Sequence, residues 1–187
     1  MKIMSRTPSN MIDLGTIAPD FTLIDTISDK MISLQSIRGK QATVIFFICN
    51  HCPFVIHVNE ELVSIANAFQ NKEISFVAIS SNDVKNYPQD SPVLMKKNAE
   101  ELNYPFPYLY DESQEVARAY DAACTPDIYV FEKDLKLVYR GQIDDSRPEN
   151  GVPVTGKDLR NALQNLLEGK KISTEQKPSI GCNIKWK

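Results

Sequence analysis

An unbroken apolar run, Thr43 to Ile48, passes directly into Cys49-Asn50-His51-Cys52-Pro53-Phe54, and a helical pattern follows at once. This junction constrains the chain more than any other stretch. Six mostly β-branched or aromatic residues read as a strand buried on both faces. Val55, Val58, Leu62, Ile65, Ala66 and Phe69 then recur at three- and four-residue spacing, as one face of a helix does. Proline is tolerated only in the first helical turn, where its missing N–H would have no partner. The spacing therefore predicts a helix beginning at about Cys49 or Asn50, with two cysteines at its start.

That position gives the cysteines a chemistry. Free N–H groups and the helix dipole favour negative charge at a helix N-terminus, and the thiolate is the nucleophilic form of cysteine. Cys49 is expected at the exposed tip as the attacking thiolate, and Cys52, one turn in, as the resolving thiol. A protonated His51 would stabilise the thiolate further and raise the reduction potential above the roughly −270 mV of thioredoxin. A zinc site needs a second ligand pair, and His57 points away on the helix. No metal and no cofactor are expected. A metal-binding or redox-sensing module without turnover remains the alternative of a different class.

Further along, Ile74 to Ile79 reads as a strand and Ser80 to Pro88 as a polar loop. Ser91-Pro92 opens a helix with Met95, Ala99 and Leu102 on one face. A short helix is predicted near Ser113–Tyr120, a hairpin at Ile128–Phe131 and Leu137–Tyr139, and a closing helix over Lys157–Glu168. Phe21-Thr22-Leu23 and Met31-Ile32-Ser33-Leu34 flank Asp29-Lys30 as an N-terminal hairpin. The order predicts an α/β fold, a mixed sheet with helices on both faces. One domain is expected over 1–187, with an arm at 1–14 and a tail at 170–187.

At 187 residues and 42% hydrophobic, the chain can bury a core of its own. A net charge of −3 offers nothing to nucleic acid or anionic membranes, and neither is expected as a partner. Met1 to Asp20 shows no apolar run or cleavage pattern, so the expected location is cytoplasmic. Asp144, Asp145 and Arg147 read as a solvated surface loop.

Cys124-Thr125-Pro126-Asp127 precedes an apolar strand, where a proline removes a ladder bond. A dithiol at a helix start, followed by a threonine–proline pair before an antiparallel strand, resembles the thioredoxin fold. The resemblance implies a cis Pro126 packed on the dithiol, with Asn50, Thr125 and Pro126 lining the substrate groove. Gly15 to Leu23, Cys49 to Val55, Gly141 to Pro148 and Pro178 to Trp186 resemble peroxiredoxins and the alkyl hydroperoxide reductase/thiol-specific antioxidant family. In that frame Cys52 takes the peroxidatic position, with thiol peroxidase activity as the runner-up. Ile45 and Cys49 stand where the family carries proline and threonine or serine, and no arginine accompanies Cys124-Thr125-Pro126. Those departures favour disulfide exchange, with protein or small-molecule disulfides as substrates and a reductant the sequence does not name. Cys124 is a candidate groove residue or a core residue. The resemblance makes Cys182 a candidate second resolving thiol, with a structural role beside Trp186 as the other reading, and Cys124 is a further candidate redox thiol.

Overall fold

The computed structural model describes residues 6–187; the first five residues of the expected N-terminal arm lie outside them. In chain order the elements are β1 (Thr7–Pro8), β2 (Thr22–Asp25), β3 (Met31–Ser33), β4 (Ala42–Phe47), α1 (Pro53–Phe69), β5 (Ile74–Ser80), α2 (Pro92–Glu101), β6 (Tyr108–Tyr110), α3 (Glu115–Ala119), β7 (Cys124–Thr125), β8 (Asp127–Glu132), β9 (Leu137–Arg140), α4 (Lys157–Leu167) and β10 (Ile180–Asn183).

Seven strands form one mixed sheet in the order β3-β2-β6-β5-β4-β8-β9. β4, β5 and β6 run parallel, β8 and β9 return antiparallel, and the β2–β3 hairpin extends the β6 edge. β4 lies near the centre and all six of its residues are buried. Side chains alternate across a strand, so Val44, Phe46 and Ile48 face one way and Ile45 and Phe47 the other. The first set joins Val58, Leu62 and Ile65 of α1 and Leu159 and Leu163 of α4 in one core layer. The second meets Leu34, Ala117, Tyr120 and Tyr129 in the other. Helices therefore cover both faces, as a continuously apolar central strand requires. Among the described residues no helix is long and apolar enough to cross a membrane.

Four short strands, β1, β6, β7 and β10, depart from the sequence expectation. β6 is three residues between prolines and turns, too short to show a period. Residues 170–187 are more than a tail, because β10 pairs antiparallel with both β1 and β7. The pairing with β7 demands glycine at 181, since a Cβ there would lie 1.9 Å from the Thr125 carbonyl oxygen. The expected solvated loop at Asp144 is also corrected. Asp144 is buried and accepts the N–H groups of Ser146, Thr155 and Gly156, which fixes the entry to α4. The more exposed Asp145 pairs with Lys157 and Lys177.

Candidate active site

β4 delivers Ile48 and Cys49 out of the sheet, and α1 begins only at Pro53, with Cys52 as its N-cap. The expected start at Cys49 or Asn50 is corrected, and the cause is visible. The backbone N–H groups of Asn50 and His51 are both claimed by Asp90 Oδ1, at 2.9 and 3.3 Å. Residues 49–51 thus form a clamped loop. The helix end belongs to Cys52, whose carbonyl accepts Val55 N–H and Ile56 N–H at 2.9 Å each. Cys49 is not an exposed tip either: it is 2% exposed and Cys52 0%.

The thiols pack against the segment after β7. The Thr125–Pro126 peptide is cis. Cys52 Sγ lies 3.1 Å from the Thr125 carbonyl oxygen and donates to it when protonated. Thr125 Oγ1 lies 3.5 Å from Cys49 Sγ. Hydrogen bonding by the neighbouring Cys182 thiol, and then by Cys49, pulls Cys52 far below the ordinary thiol value. Hydrogen bonding with Cys52, together with burial and the Asp90 carboxylate, pushes Cys49 well up. The N-cap position favours negative charge on Cys52 in the same direction.

His51 stands between Cys49 and Asp90. Its Nδ1 is 2.6 Å from Asp90 Oδ2 and 4.0 Å from Cys49 Sγ, and its ring stacks on Tyr87. A protonated His51 is therefore matched by a buried carboxylate before its charge reaches the thiol. Asp90 is fully buried and also accepts Asn82 Nδ2–H at 2.8 Å, so both its oxygens are satisfied. Cys49, His51 and Asp90 place three potential metal-ligand atoms within 4.8 Å of one another. The donors already aimed at Asp90 make it a structural acceptor that orients the motif. Asn50 bonds the Gln89 carbonyl and accepts from Tyr108 Oη, tying the loop to β6. His57 lies apart, with Nε2 at 2.7 Å from Ser146 Oγ.

Cys124 and Pro126 are buried, and the Cys124 thiol donates to the Pro126 carbonyl at 3.6 Å. Burial pushes its pKa up, as for an inert core cysteine. Cys182 is half-buried on β10, in register with Thr125, and its side chain meets Cys52. The strand after Pro126 is pinned by a buried ion pair. Asp127 accepts from Arg140 Nη2 at 3.2 Å, Ser9 Oγ at 2.8 Å and Ala123 N at 3.1 Å. Asp90, Asn82, Thr125 as a carbonyl acceptor, and the Asp127–Arg140 pair escaped sequence reasoning. The only available signal for Asp90 was its place just past a polar loop, which many surface carboxylates share.

A paired thiol at a helix N-terminus, packed on a cis-proline segment beside a mixed sheet, defines a thioredoxin-like α/β fold. The chain belongs to the AhpC/TSA family, which matches residues 14–140. Among curated proteins nothing matches. A conserved uncharacterised protein from Geobacillus kaustophilus is 62% identical, with a TM-score of 0.97 over 98% of this chain and 97% of that one. A hypothetical protein from Sinorhizobium meliloti is 45% identical, with a TM-score of 0.94 over 97% and 98%. The thioredoxin domain of a thiol-disulfide oxidoreductase from Bacteroides vulgatus shares the fold at 21% identity, with a TM-score of 0.65 over 84% and 99%.

Proposed function

We propose that the protein is a thiol–disulfide oxidoreductase cycling between a Cys49/Cys52 dithiol and disulfide, in the cytoplasm, on protein or small-molecule disulfides. One observation carries this reading. Two cysteines three positions apart at a helix start both face Thr125 of the cis Thr125–Pro126 segment, Cys52 Sγ at 3.1 Å from its carbonyl oxygen and Cys49 Sγ at 3.5 Å from its hydroxyl. Cys49 attacks once deprotonated, and the Thr125 carbonyl at 3.1 Å receives the Cys52 S–H whenever that thiol is protonated. The Thr125 hydroxyl then faces the Cys49 thiolate. Cys49 attacks the substrate disulfide, and Cys52 breaks the mixed disulfide by attacking Cys49 Sγ.

Insulin-disulfide reduction with dithiothreitol tests this. Cys49→Ser is expected to bring turnover down to that of dithiothreitol alone, and Cys52→Ser to accumulate a mixed disulfide on Cys49. Wild-type turnover in Cys49→Ser would remove the assignment. A second expectation concerns potential. Stabilising the Cys52 thiolate stabilises the reduced form, so the couple should lie above the roughly −270 mV of thioredoxin. Equilibration against a glutathione or dithiothreitol buffer measures it, and a value at or below thioredoxin's contradicts it.

A peroxidase reading is favoured by one feature, the depressed pKa of Cys52 at the N-cap. Peroxide consumption that survives Cys49→Ser but not Cys52→Ser distinguishes it.

A further inference from the structure

We propose that Cys49, His51 and Asp90 form a binding site for a divalent cation of the zinc class, which holds the dithiol reduced and silent while bound. Cys49 Sγ, His51 Nδ1 and a carboxylate oxygen of Asp90 all lie within 4.8 Å of one another. His51 Nδ1 is the atom they share, 4.0 Å from Cys49 Sγ and 2.6 Å from Asp90 Oδ2. Two cysteines alone leave a tetrahedral ion half-coordinated, and nitrogen or oxygen ligands must come from elsewhere. The fold supplies one from a second segment: Asp90 lies in the turn before α2, 39 positions from His51. The site needs Cys49 as a free thiol but needs no turnover, so it stands apart from the disulfide-exchange reading.

The three side chains are already held in place from behind, as metal ligands need to be. Asp90 is fully buried, and its Oδ1 takes the N–H groups of Asn50 and His51. It keeps that structural role whatever Oδ2 binds. Oδ2 is steadied by Asn82 Nδ2 at 2.8 Å. The His51 ring lies 13° from parallel to Tyr87, with 5.5 Å between centroids, which limits its rotation. Thr125 Oγ1 stands 3.5 Å from Cys49 Sγ. With 23% of its side chain in solvent, His51 marks the way in for an ion. Zinc at its usual bond lengths separates tetrahedral ligands by about 3.3–3.6 Å. The contact between Nδ1 and Oδ2 therefore opens, and the contacts of Cys49 close, by roughly 1 Å or less, within reach of a half-buried histidine.

Binding moves protons and no electrons. Cys49 gives up its thiol proton to solvent, His51 carries its ring proton on Nε2 instead of Nδ1, and Asp90 stays a carboxylate. One thiolate and one carboxylate cancel the charge of a divalent ion, so the three ligands and their ion are neutral together, which limits the cost of burying them. Mixed sulfur, nitrogen and oxygen ligands fit zinc better than calcium or magnesium, which take oxygen, or copper(I), which takes sulfur. Three protein ligands leave the fourth position to water. While the ion is bound, the Cys49 electron pair belongs to the metal and does not attack a disulfide. Oxidation to the Cys49–Cys52 disulfide removes the thiolate ligand, so only the reduced form binds. Linkage then raises the potential of the couple by about 30 mV for each tenfold of metal above its dissociation constant.

Metal titration of the reduced protein tests the site. The protein is stripped with EDTA, desalted, and titrated with cobalt(II) and then zinc without oxygen. The expected result is one equivalent of cobalt with a sulfur-to-cobalt charge-transfer band and the visible bands of a tetrahedral ion, both erased by zinc. Saturating zinc should slow alkylation of Cys49 by iodoacetamide at least tenfold. His51→Ala, at a side chain outside the core, should weaken zinc binding at least tenfold, and Asp90→Asn should do the same, with circular dichroism reporting its fold. Should Asp90→Asn not fold, His51→Ala carries the test. Both variants keep Cys49 and Cys52, so zinc affinity unchanged in His51→Ala means that the cysteines alone hold the ion, and overturns the site. No saturable binding by the reduced wild type, or cobalt bound without the sulfur band, overturns it equally. None of these readouts depends on turnover, so failure of insulin reduction in EDTA removes the exchange reading alone.

Discussion

Above pH 10 the protein is expected to unfold cooperatively. Tyr108, Tyr120, Tyr129 and Tyr139 are buried, and burial raises each phenol above its ordinary value. Each also donates its proton to a fixed acceptor: Asn50 Oδ1, the Pro19 carbonyl, the Tyr120 carbonyl and the Gln142 carbonyl. The unfolded chain ionises these phenols near pH 10 while the folded chain keeps them protonated. The folded state then binds more protons, so stability falls as pH rises. Each tyrosine contributes up to about 1.4 kcal/mol per pH unit until its folded pKa is reached. The raised thiols of Cys49 and Cys124 act in the same sense from a lower pH. Against a typical stability of about 5–15 kcal/mol, four such groups suffice within about two pH units. Circular dichroism at 222 nm and tyrosinate absorbance at 295 nm should change together in one transition. Gradual tyrosinate formation with native dichroism retained to pH 12 would contradict the assignment.

Replacing Arg140 by Met is expected to cost about 3–5 kcal/mol at neutral pH, because a buried carboxylate loses its only cation. Asp127 and Arg140 are both fully buried. The guanidinium lies 4.5 Å from the centre of the Tyr129 ring and also donates to the Asp121 carbonyl, but Nε and Nη1 have no hydrogen-bond partner among the described residues. The pair is thus strained for hydrogen bonds yet destructive to break from one side. Adding Asp127→Asn to Arg140→Met should recover most of the loss, since the amide is neutral, its oxygen still accepts the Ala123 N–H, and its nitrogen can donate to Ser9 Oγ. Urea midpoints of the four proteins measure the coupling. Additive effects would show that the pair contributes no interaction of its own.

The parts legible in the sequence are those that repeat or carry a special residue. The β4–α1 junction showed itself through an apolar run and Pro53, and the hairpin β8–β9 through its composition. The chemistry of the dithiol was legible as two cysteines, but the distribution of charge between them was not. That distribution depends on where α1 begins, and the start is shifted by Asp90, forty residues away in the chain and on no periodic element. Cys182 lay in a segment with no pattern because a four-residue strand bordered by two short partners shows no period. Asp144 looked like surface charge because sequence cannot tell a solvated carboxylate from one that caps a helix. The misses at Asp90 and β10 are long-range polar contacts, which leave no local trace.

The strand β10 also sets the order in which the site comes into being during synthesis. Cys49, Cys52 and α1 leave the ribosome early, together with the strands that pack them. Gly181 and Cys182 emerge much later, and only their pairing with Thr7 and Thr125 brings the third sulfur to Cys52 and closes the strand beside the proline. Such pairings between distant parts of a chain are slow to form, because their loop-closure entropy precedes the contacts that reward it. The thiol cluster is therefore incomplete until residue 182 has emerged and β10 has paired, long after Cys49 and Cys52 have left the ribosome.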